Sequence, residues 1–197
     1  YLGHSFNSEL VFDDGVLNTF TDSANRLIES PYLKKDQKLN IFNQYALPRL
    51  TYPLQAAPLR KIPEESLTLL DRTIRTSVKA IIGLPLHTSS KFIYSPRKFR
   101  GLGMVRVKWE AVLQHFAISQ KLSAVQDGLF HAVYDCDQEM TICKQMLGVE
   151  GNTARQLRNA LREMTFHEWS NQLYQGVGVK HFKEYPKANG FVYDKNT

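Results

Sequence analysis

Apolar residues recur along this chain at intervals of three and four, the spacing that places side chains on one face of an α-helix. The pattern predicts a series of helices separated by proline, glycine and short polar stretches. The most regular of them follows Pro63 and ends at Gly83, with two glutamates at its positively polarised start. Its predicted buried stripe consists of Leu67, Leu70, Ile74, Val78 and Ile81.

Further helices follow from the same spacing and from their capping residues. Pro48 lies inside the second helix, predicted from Asp36 to about Leu54, and should kink it near Gln44 and Tyr45 by removing a backbone hydrogen bond. Pro53 and Pro58 should end this helix. The predicted helices are Val16–Glu29, Asp36 to about Leu54, Val105–Leu122, Leu129–Tyr134, Gln138–Leu147, and one that Asn152 or Thr153 caps and that runs to about Tyr174.

Three stretches lack a helical period. YLGHSFNSELVFDDG, which starts at Tyr1, predicts a hairpin of two short strands around a polar turn. KFIYSPRKFRGLGM, from Lys91 to Met104, predicts a loop or a short irregular strand pair, and the tail from residue 175 is expected to be extended. The predicted fold class is mainly α: a helical bundle with a short N-terminal β-hairpin and a helical C-terminal subdomain. Because an apolar strand at residue 1 needs a partner, we expect the hairpin to derive from a larger sheet.

Charge is distributed unevenly along the 197 residues. The net charge is +6, yet residues 31–108 carry fifteen Lys and Arg against four acidic residues. A basic block between near-neutral or acidic flanks favours a polyanionic partner, although a solvated basic surface is the simpler explanation. No run of residues is long and apolar enough for a membrane helix, and the sequence shows no leader for secretion.

Catalytic chemistry is weakly represented. Asp13 and Asp14 are adjacent carboxylates, but neighbours on a strand point to opposite faces, and with Gly15 they favour a turn and a helix cap over a two-metal site. Cys136 and Cys143 have no metal-binding spacing, and we expect both to be reduced thiols that are buried or half-buried. The isolated chain is therefore predicted to be no enzyme and to hold no cofactor.

Binding features are stronger. Arg72, Arg75 and Lys79 fall at i, i+3 and i+7 on the third helix, away from its apolar stripe, and could follow the phosphates of a duplex. Either this is a nucleic-acid contact or it is a solvated helix face. Three lysines, Lys34, Lys35 and Lys38, gather where a helix start disfavours cations, which suggests an outside anion or an interrupted loop.

Cations also alternate with aromatic residues in the irregular segment. Phe92, Tyr94 and Phe99 could stack on bases, or they could be core residues under a basic rim. The cations around them are Lys91, Arg97, Lys98, Arg100, Arg106 and Lys108. A weaker candidate ridge on the last helix repeats the i, i+3, i+7 spacing with Arg155, Arg158 and Arg162.

Several motifs in order resemble one protein family. YLG with its hairpin, LPRLTYPL, LDRTIRTSVKAIIGLP, a Tyr-x-Pro segment and GLGM are similar to the region after the polymerase palm in non-LTR (LINE-like) retrotransposon reverse transcriptases. The ending QGVGVKHFKEYPKAN resembles the segment that follows the thumb in the site-specific clade with a C-terminal restriction-like endonuclease. The family's F/Y-x-D-D motif would precede Tyr1, so catalysis is not assigned to Asp13 and Asp14.

The resemblance implies a role for each segment. Residues 1–14 would be the primer-grip hairpin, with Tyr1, Leu2 and Gly3 supporting the primer end; residues 15–104 would be the thumb, and residues 105–197 a helical linker. The implied partners are an RNA–DNA or RNA template–primer duplex and the palm and endonuclease domains of the same polypeptide. The duplex would be held by Arg72, Arg75 and Lys79, with Lys34, Lys35, Lys38, Lys91, Arg97, Lys98 and Arg100 as further contacts.

The resemblance further implies that the parent protein is an RNA-directed DNA polymerase whose palm binds Mg²⁺, acting inside the cell in the nucleus. The alternative is a stand-alone helical module that binds protein or RNA. Such a module would use its apolar surface, so that removing the basic residues would leave partner binding intact.

Overall fold

The computed structural model describes residues 14–56, 59–125, 134–176 and residue 179. The predicted hairpin at Tyr1–Phe12, most of the predicted helix at Leu129–Tyr134 and nearly all of the predicted extended tail lie outside these residues. The described residues are mainly helical, as the spacing predicts, and contain no strand. Their α-helices are α1 (Asp14–Glu29), α2 (Lys35–Ile41), α3 (Leu47–Ala56), α4 (Glu64–Ile82), α5 (Ser90–Tyr94), α6 (Val107–Leu122), α7 (Cys136–Leu147) and α8 (Ala154–Ser170).

The second predicted helix is interrupted by a π-helical turn that includes Gln44 and Tyr45, where the kink is predicted. Phe42–Ala46 joins α2 to α3, and the N–H of Leu47 bonds to the carbonyl of Phe42, five residues back. Pro48 has no N–H to bond to the carbonyl of Gln44, and the wider turn lets the chain pass that gap. Helix α3 passes Pro53 and ends at Ala56, two residues beyond the predicted end at about Leu54.

Helix α4 agrees with its predicted limits. Pro63 precedes its first turn, and Gly83 ends it in the left-handed conformation with φ of 78°, where a residue with a side chain would be strained. All five residues of the predicted apolar stripe are buried. The caps and the apolar period of this helix agree with each other, and this agreement is why its limits could be predicted.

The segment from Lys91 to Met104 is more ordered than the predicted loop or strand pair. Residues 90–94 form α5, which Ser89 caps, and Arg97–Phe99 form a 3₁₀ turn. The chain then runs back beside α5, where the N–H groups of Leu102 and Met104 donate to the carbonyls of Phe92 and Ile93 at 3.0 Å each. Five residues are too few to show a helical period, which is why the pattern misses α5.

The C-terminal helices differ from their predicted limits only at the ends. Asp135 caps α7 through the N–H of Gln138, and Thr153 caps α8 in a capping box with Gln156. Helix α8 ends at Ser170, four residues before the predicted Tyr174. Helix α6 begins two residues later than predicted.

Two apolar cores share α6 and α8. The larger core contains residues from each of the helices α1 through α6, together with Phe166 and Trp169 from the C-terminal part of α8. The smaller core packs Phe116 of α6 against α7 and against Leu157 and Leu161 of α8. The larger core therefore extends across position 104, where the resemblance places the end of the thumb.

Two further observations concern the described residues. Cys136 and Cys143 are buried and free, as predicted. None of the helices described here has the length and apolar character that crossing a bilayer requires.

Candidate nucleic-acid interface

The outer side of α4 presents the three predicted cations, and we call Arg72, Arg75 and Lys79 the basic face. Arg72 is exposed, whereas Arg75 and Lys79 are half-buried. The Nζ of Lys79 donates to the carbonyl of Leu86 at 2.5 Å, and burial, followed by the charge of Arg75, lowers the pKa of Lys79. Seven residues of helix span about 10 Å, roughly the rise of three phosphates along one DNA strand. The three cations therefore share one face at a spacing that suits a nucleic-acid backbone.

Asp71, beside the basic face, is the buried acid that fixes α4 against α6. Only 3% of its surface is exposed. Its Oδ1 accepts the N–H of Val107 at 2.8 Å, and its Oδ2 accepts the N–H of Lys108 at 3.3 Å. The hydroxyl of Tyr94 lies 3.4 Å from Oδ1 and donates to the main-chain carbonyl of Asp71 at 3.3 Å. Asp71 thus caps the N-terminus of α6 from a different helix, since Arg106 at that position supplies no side-chain cap.

Two guanidinium groups lie around this acid. Arg106 Nε is 3.7 Å from Oδ2 of Asp71, and the Arg106 guanidinium lies 4.6 Å from the ring of Trp109. Burial raises the pKa of Asp71, while the two N–H donors and then Arg106 and Arg75 act in the opposite direction. Burial, and secondarily the charge of Asp71, also raises the pKa of Tyr94. Arg106 therefore extends the basic face from α4 to the start of α6.

A second basic surface lies where the segment after α5 meets α8, and we call it the α8 groove. Its volume is about 550 Å³. Arg97 Nε donates to the carbonyl of Leu102 at 3.2 Å, and Lys98 pairs with Glu163 at 3.0 Å. The residues that line the groove are Pro96, Arg97, Lys98, Gly103, Asn159, Arg162 and Glu163.

The three arginines of the predicted ridge on the last helix lie in three different environments. Arg158 binds Glu110 with two hydrogen bonds, of 2.7 and 3.3 Å, so its charge is neutralised within the fold. Arg162 lies in the α8 groove, and burial, followed by the charge of Arg158, lowers its pKa. Arg155 is exposed at the start of the helix. The spacing of the ridge does not reveal this division, because Glu110 is 48 residues away from Arg158.

The aromatic residues of the irregular segment belong to the core. Phe92 and Tyr94 are buried, and Phe92 packs 5.4 Å from the ring of Trp169. Phe99 stacks on Phe166 with 4.1 Å between ring centres. Of the two alternatives, the structure favours core residues under a basic rim, so contacts from this segment would reach phosphates and not bases.

The three lysines at the start of α2 lie against the ends of other helices or in solvent. Lys38 Nζ donates to the carbonyl of Ile28, at the C-terminus of α1, at 2.7 Å. The Lys35 ammonium lies over the C-terminus of α4, where a Cβ added to Gly83 would come within 3.2 Å of it. Lys34 is exposed. Cations stabilise helix C-termini, which accounts for Lys35 and Lys38 without an outside anion.

Several other predicted contacts are engaged within the fold. Lys91 pairs with Glu168 of α8, and Lys108 pairs with Glu64 of α4. Arg100 adopts a left-handed backbone with φ of 67° at the end of the 3₁₀ turn. Tyr1, Leu2, Gly3 and Asp13 lie outside the described residues, so the primer-grip assignment stays a prediction.

Sequence reasoning alone misses two features of this surface. One is Asp71, an acid that directly follows Leu70 of the predicted buried stripe in LDRTIRT. The other is Asn159, which has no special spacing and enters the α8 groove only because α8 packs beside α5.

Comparison with known proteins shows which proteins this chain resembles. Three curated relatives are retrovirus-related Pol polyproteins from type-1 retrotransposable element R2 of Popillia japonica. The first is 35% identical over 77 residues, which is 39% of this chain and 17% of the relative. The second and third are each 31% identical, over 128 and 108 residues. This chain is similar to a part of retrotransposon Pol polyproteins.

The retrotransposon relationship covers a minor part of those polyproteins. The second and third matches cover 65% and 55% of this chain, but only 20% and 14% of the relatives. No family model matches the chain. The resemblance to non-LTR retrotransposon proteins drawn from the motifs is confirmed, and it supports a reverse-transcriptase-related region.

Proposed function

We propose that this retrotransposon-related chain grips the template–primer duplex during reverse transcription, through the basic face of α4. One observation carries the proposal: Arg72, Arg75 and Lys79 project from a single helix whose opposite side is buried. The relationship to Pol polyproteins supports a nucleic-acid partner, and the excess of positive charge in residues 31–108 supports a backbone contact.

The geometry around Asp71 supports the same function. Because Asp71 joins α4 to the first residues of α6, Arg106 is held close to the basic face. A rigid array of cations loses little conformational freedom when it binds phosphates, which favours sequence-independent grip.

The test compares two triple variants of the 197-residue chain. Arg72→Ala/Arg75→Ala/Lys79→Ala removes the basic face, and Arg26→Ala/Lys121→Ala/Lys144→Ala removes the same charge from other helices. Fluorescence anisotropy with a labelled RNA–DNA duplex should show a large loss of affinity for the first variant and a small loss for the second. Equal losses would mean that net charge alone holds the duplex and would overturn the proposal.

A second candidate function is binding to the other domains of the same polypeptide. Gln175 joins two segments that each expose a leucine, since its side chain accepts the N–H of Ser89 at 2.8 Å and donates to the carbonyl of His87 at 3.2 Å. Leu86 on one side and Leu173 on the other are 81% and 84% exposed. A Leu86→Ser/Leu173→Ser variant should bind the palm less tightly while its duplex affinity stays the same. Unchanged palm binding would remove this candidate.

A further inference from the structure

The α8 groove is separate from the basic face and has its own electrostatic character. It brings Arg97 and Lys98, from the turn after α5, beside Arg162 on α8, a helix that lies far along the chain. Glu163 is the carboxylate among the lining residues, so three cations face one anion there. The groove is therefore a locally positive cleft, although the C-terminal part of the chain is near neutral overall.

The wall that carries Arg97 is held rigidly by main-chain hydrogen bonds. The N–H of Gly103 donates to the carbonyl of Ser95 at 2.8 Å, and the N–H of Gly101 donates to that of Pro96 at 3.1 Å. A Cβ added to Gly101 would lie 2.2 Å from the Ser95 carbonyl oxygen, so only glycine fits this approach. Because Arg97 Nε also bonds to the carbonyl of Leu102, its guanidinium has a fixed place on the wall.

The opposite wall holds Arg162, whose charge the described residues compensate only in part. Arg162 is half-buried, and burial, followed by the charges of Arg158 and Arg97, lowers its pKa. Glu110 acts in the opposite direction, but both of its carboxylate oxygens are bound to Arg158. An anion between Arg97 and Arg162 would relieve their mutual repulsion.

The pair of Lys98 and Glu163 does not close the groove. Their side chains are 60% and 59% exposed, and an exposed ion pair contributes little and exchanges partners readily. Lys98 can therefore turn toward a bound anion. Asn159, which is exposed on the same wall as Arg162, supplies an amide N–H₂ donor.

We propose that the α8 groove binds a phosphate group of a nucleic-acid strand, between Arg97 and Arg162, as a second contact separate from the basic face. The volume of about 550 Å³ admits a sugar together with its phosphate. The neighbouring aromatic rings, Phe99 and Phe166, stack on each other, so the groove offers no platform for a base. The contact is therefore independent of base sequence. Only the source of the phosphate, a nucleic-acid strand, rests on the proposed function.

Two variants of the full chain test the groove. Arg162→Gln removes a central cation, and Asn159→Asp places a negative charge in the groove at an exposed position where folding should not be affected. Lys121→Gln, at the far end of α6, is the control for a change of one unit of charge. For binding to an RNA–DNA duplex, each groove variant should flatten the slope of log affinity against log salt, bringing it closer to zero by up to about 0.9, and the control should leave the slope unchanged.

A second readout separates this proposal from the proposed function. The Arg162 Nε–H resonance should shift when inorganic phosphate is added to the wild-type chain, and the shift should be absent in Asn159→Asp. If the shift occurs but the wild-type chain does not bind the duplex, the groove holds phosphate and the proposed function fails. If duplex binding depends on the basic face while both groove variants behave like Lys121→Gln, the groove proposal is overturned. A phosphate shift with unchanged salt slopes would also overturn it, because the source would then be free phosphate.

Discussion

Removing the Asp71 carboxylate should destabilise the fold through the N-terminus of α6. In Asp71→Ala the N–H of Val107, a fully buried residue, loses its acceptor at 2.8 Å, and the N–H of Lys108 loses a weaker one at 3.3 Å. A hydrogen bond to a charged group contributes about 1.5–3 kcal/mol, and removal of an N-cap costs about 0.5–2 kcal/mol. The two figures describe the same interaction, so they are not added together. The variant also no longer pays the free-energy cost of burying a carboxylate, which offsets part of the loss. We therefore expect the free energy of unfolding to fall by about 2–3 kcal/mol.

Asp71→Asn removes the charge of this side chain but keeps one oxygen that can cap the helix. The asparagine keeps one side-chain oxygen for Val107 and places an N–H₂ group toward Lys108 and Arg106, which are donors themselves. We expect a loss of about 1 kcal/mol, because the stronger of the two hydrogen bonds is kept. Urea unfolding followed by circular dichroism measures both variants. If Asp71→Ala costs less than about 0.5 kcal/mol, as surface substitutions do, or if both variants cost the same, the capping explanation is wrong.

The pH dependence of the same comparison gives an independent check. Because burial raises the pKa of Asp71 above its usual value in the folded state, the folded chain binds this proton more tightly than the unfolded chain does. Stability from this group therefore rises as the pH falls from above the raised pKa to below the ordinary one. The stability difference between wild type and Asp71→Asn should widen on acidification over that window. If this stability difference narrows on acidification, the hydrogen bonds affect the pKa of Asp71 more strongly than burial does.

Three further predictions concern other parts of the fold. Gly101→Ala should be strongly destabilising, by about 2 kcal/mol or more, because the new methyl group would lie 2.2 Å from the Ser95 carbonyl oxygen; thermal unfolding measures it, and an unchanged midpoint would contradict the geometry. Cys143, whose pKa burial raises to about 11, should react with a thiol reagent at about pH 8 only after denaturant is added, and rapid labelling of the folded chain would contradict its placement. Glu110→Gln should lower stability by about 1–2 kcal/mol because Arg158 loses its carboxylate partner, which urea unfolding would show and which Lys121→Gln should not reproduce.

Features that depend on neighbours in sequence were predictable. The buried stripe of α4, its end at Gly83 and a cap at Asn152 or Thr153 all follow from residues within a few turns of each other, and the structure places the cap at Thr153. The position of the irregular turn before Pro48 follows for the same reason, because proline removes a backbone hydrogen bond. That the chain forms a π-turn there does not follow from the sequence pattern.

Features that depend on distant residues were not predictable. Lys38 suggested an outside anion at the start of α2, but its partner is the carbonyl of Ile28 at the end of α1. Asp71 gave no sign that it would cap a helix starting 36 residues later. The α8 groove likewise requires α8 to pack beside α5, which no local pattern specifies. The charges could be counted from the sequence, whereas their partners came from the fold.

The salt dependence of duplex binding tests the central claim most directly. Affinity for an RNA–DNA duplex would be measured at several salt concentrations for the wild-type chain and for Arg72→Ala/Arg75→Ala/Lys79→Ala. If the basic face binds phosphates, the slope of log affinity against log salt should flatten by up to about 0.9 for each phosphate that the variant no longer neutralises. A slope identical to that of the wild-type chain would contradict the claim that α4 grips the duplex.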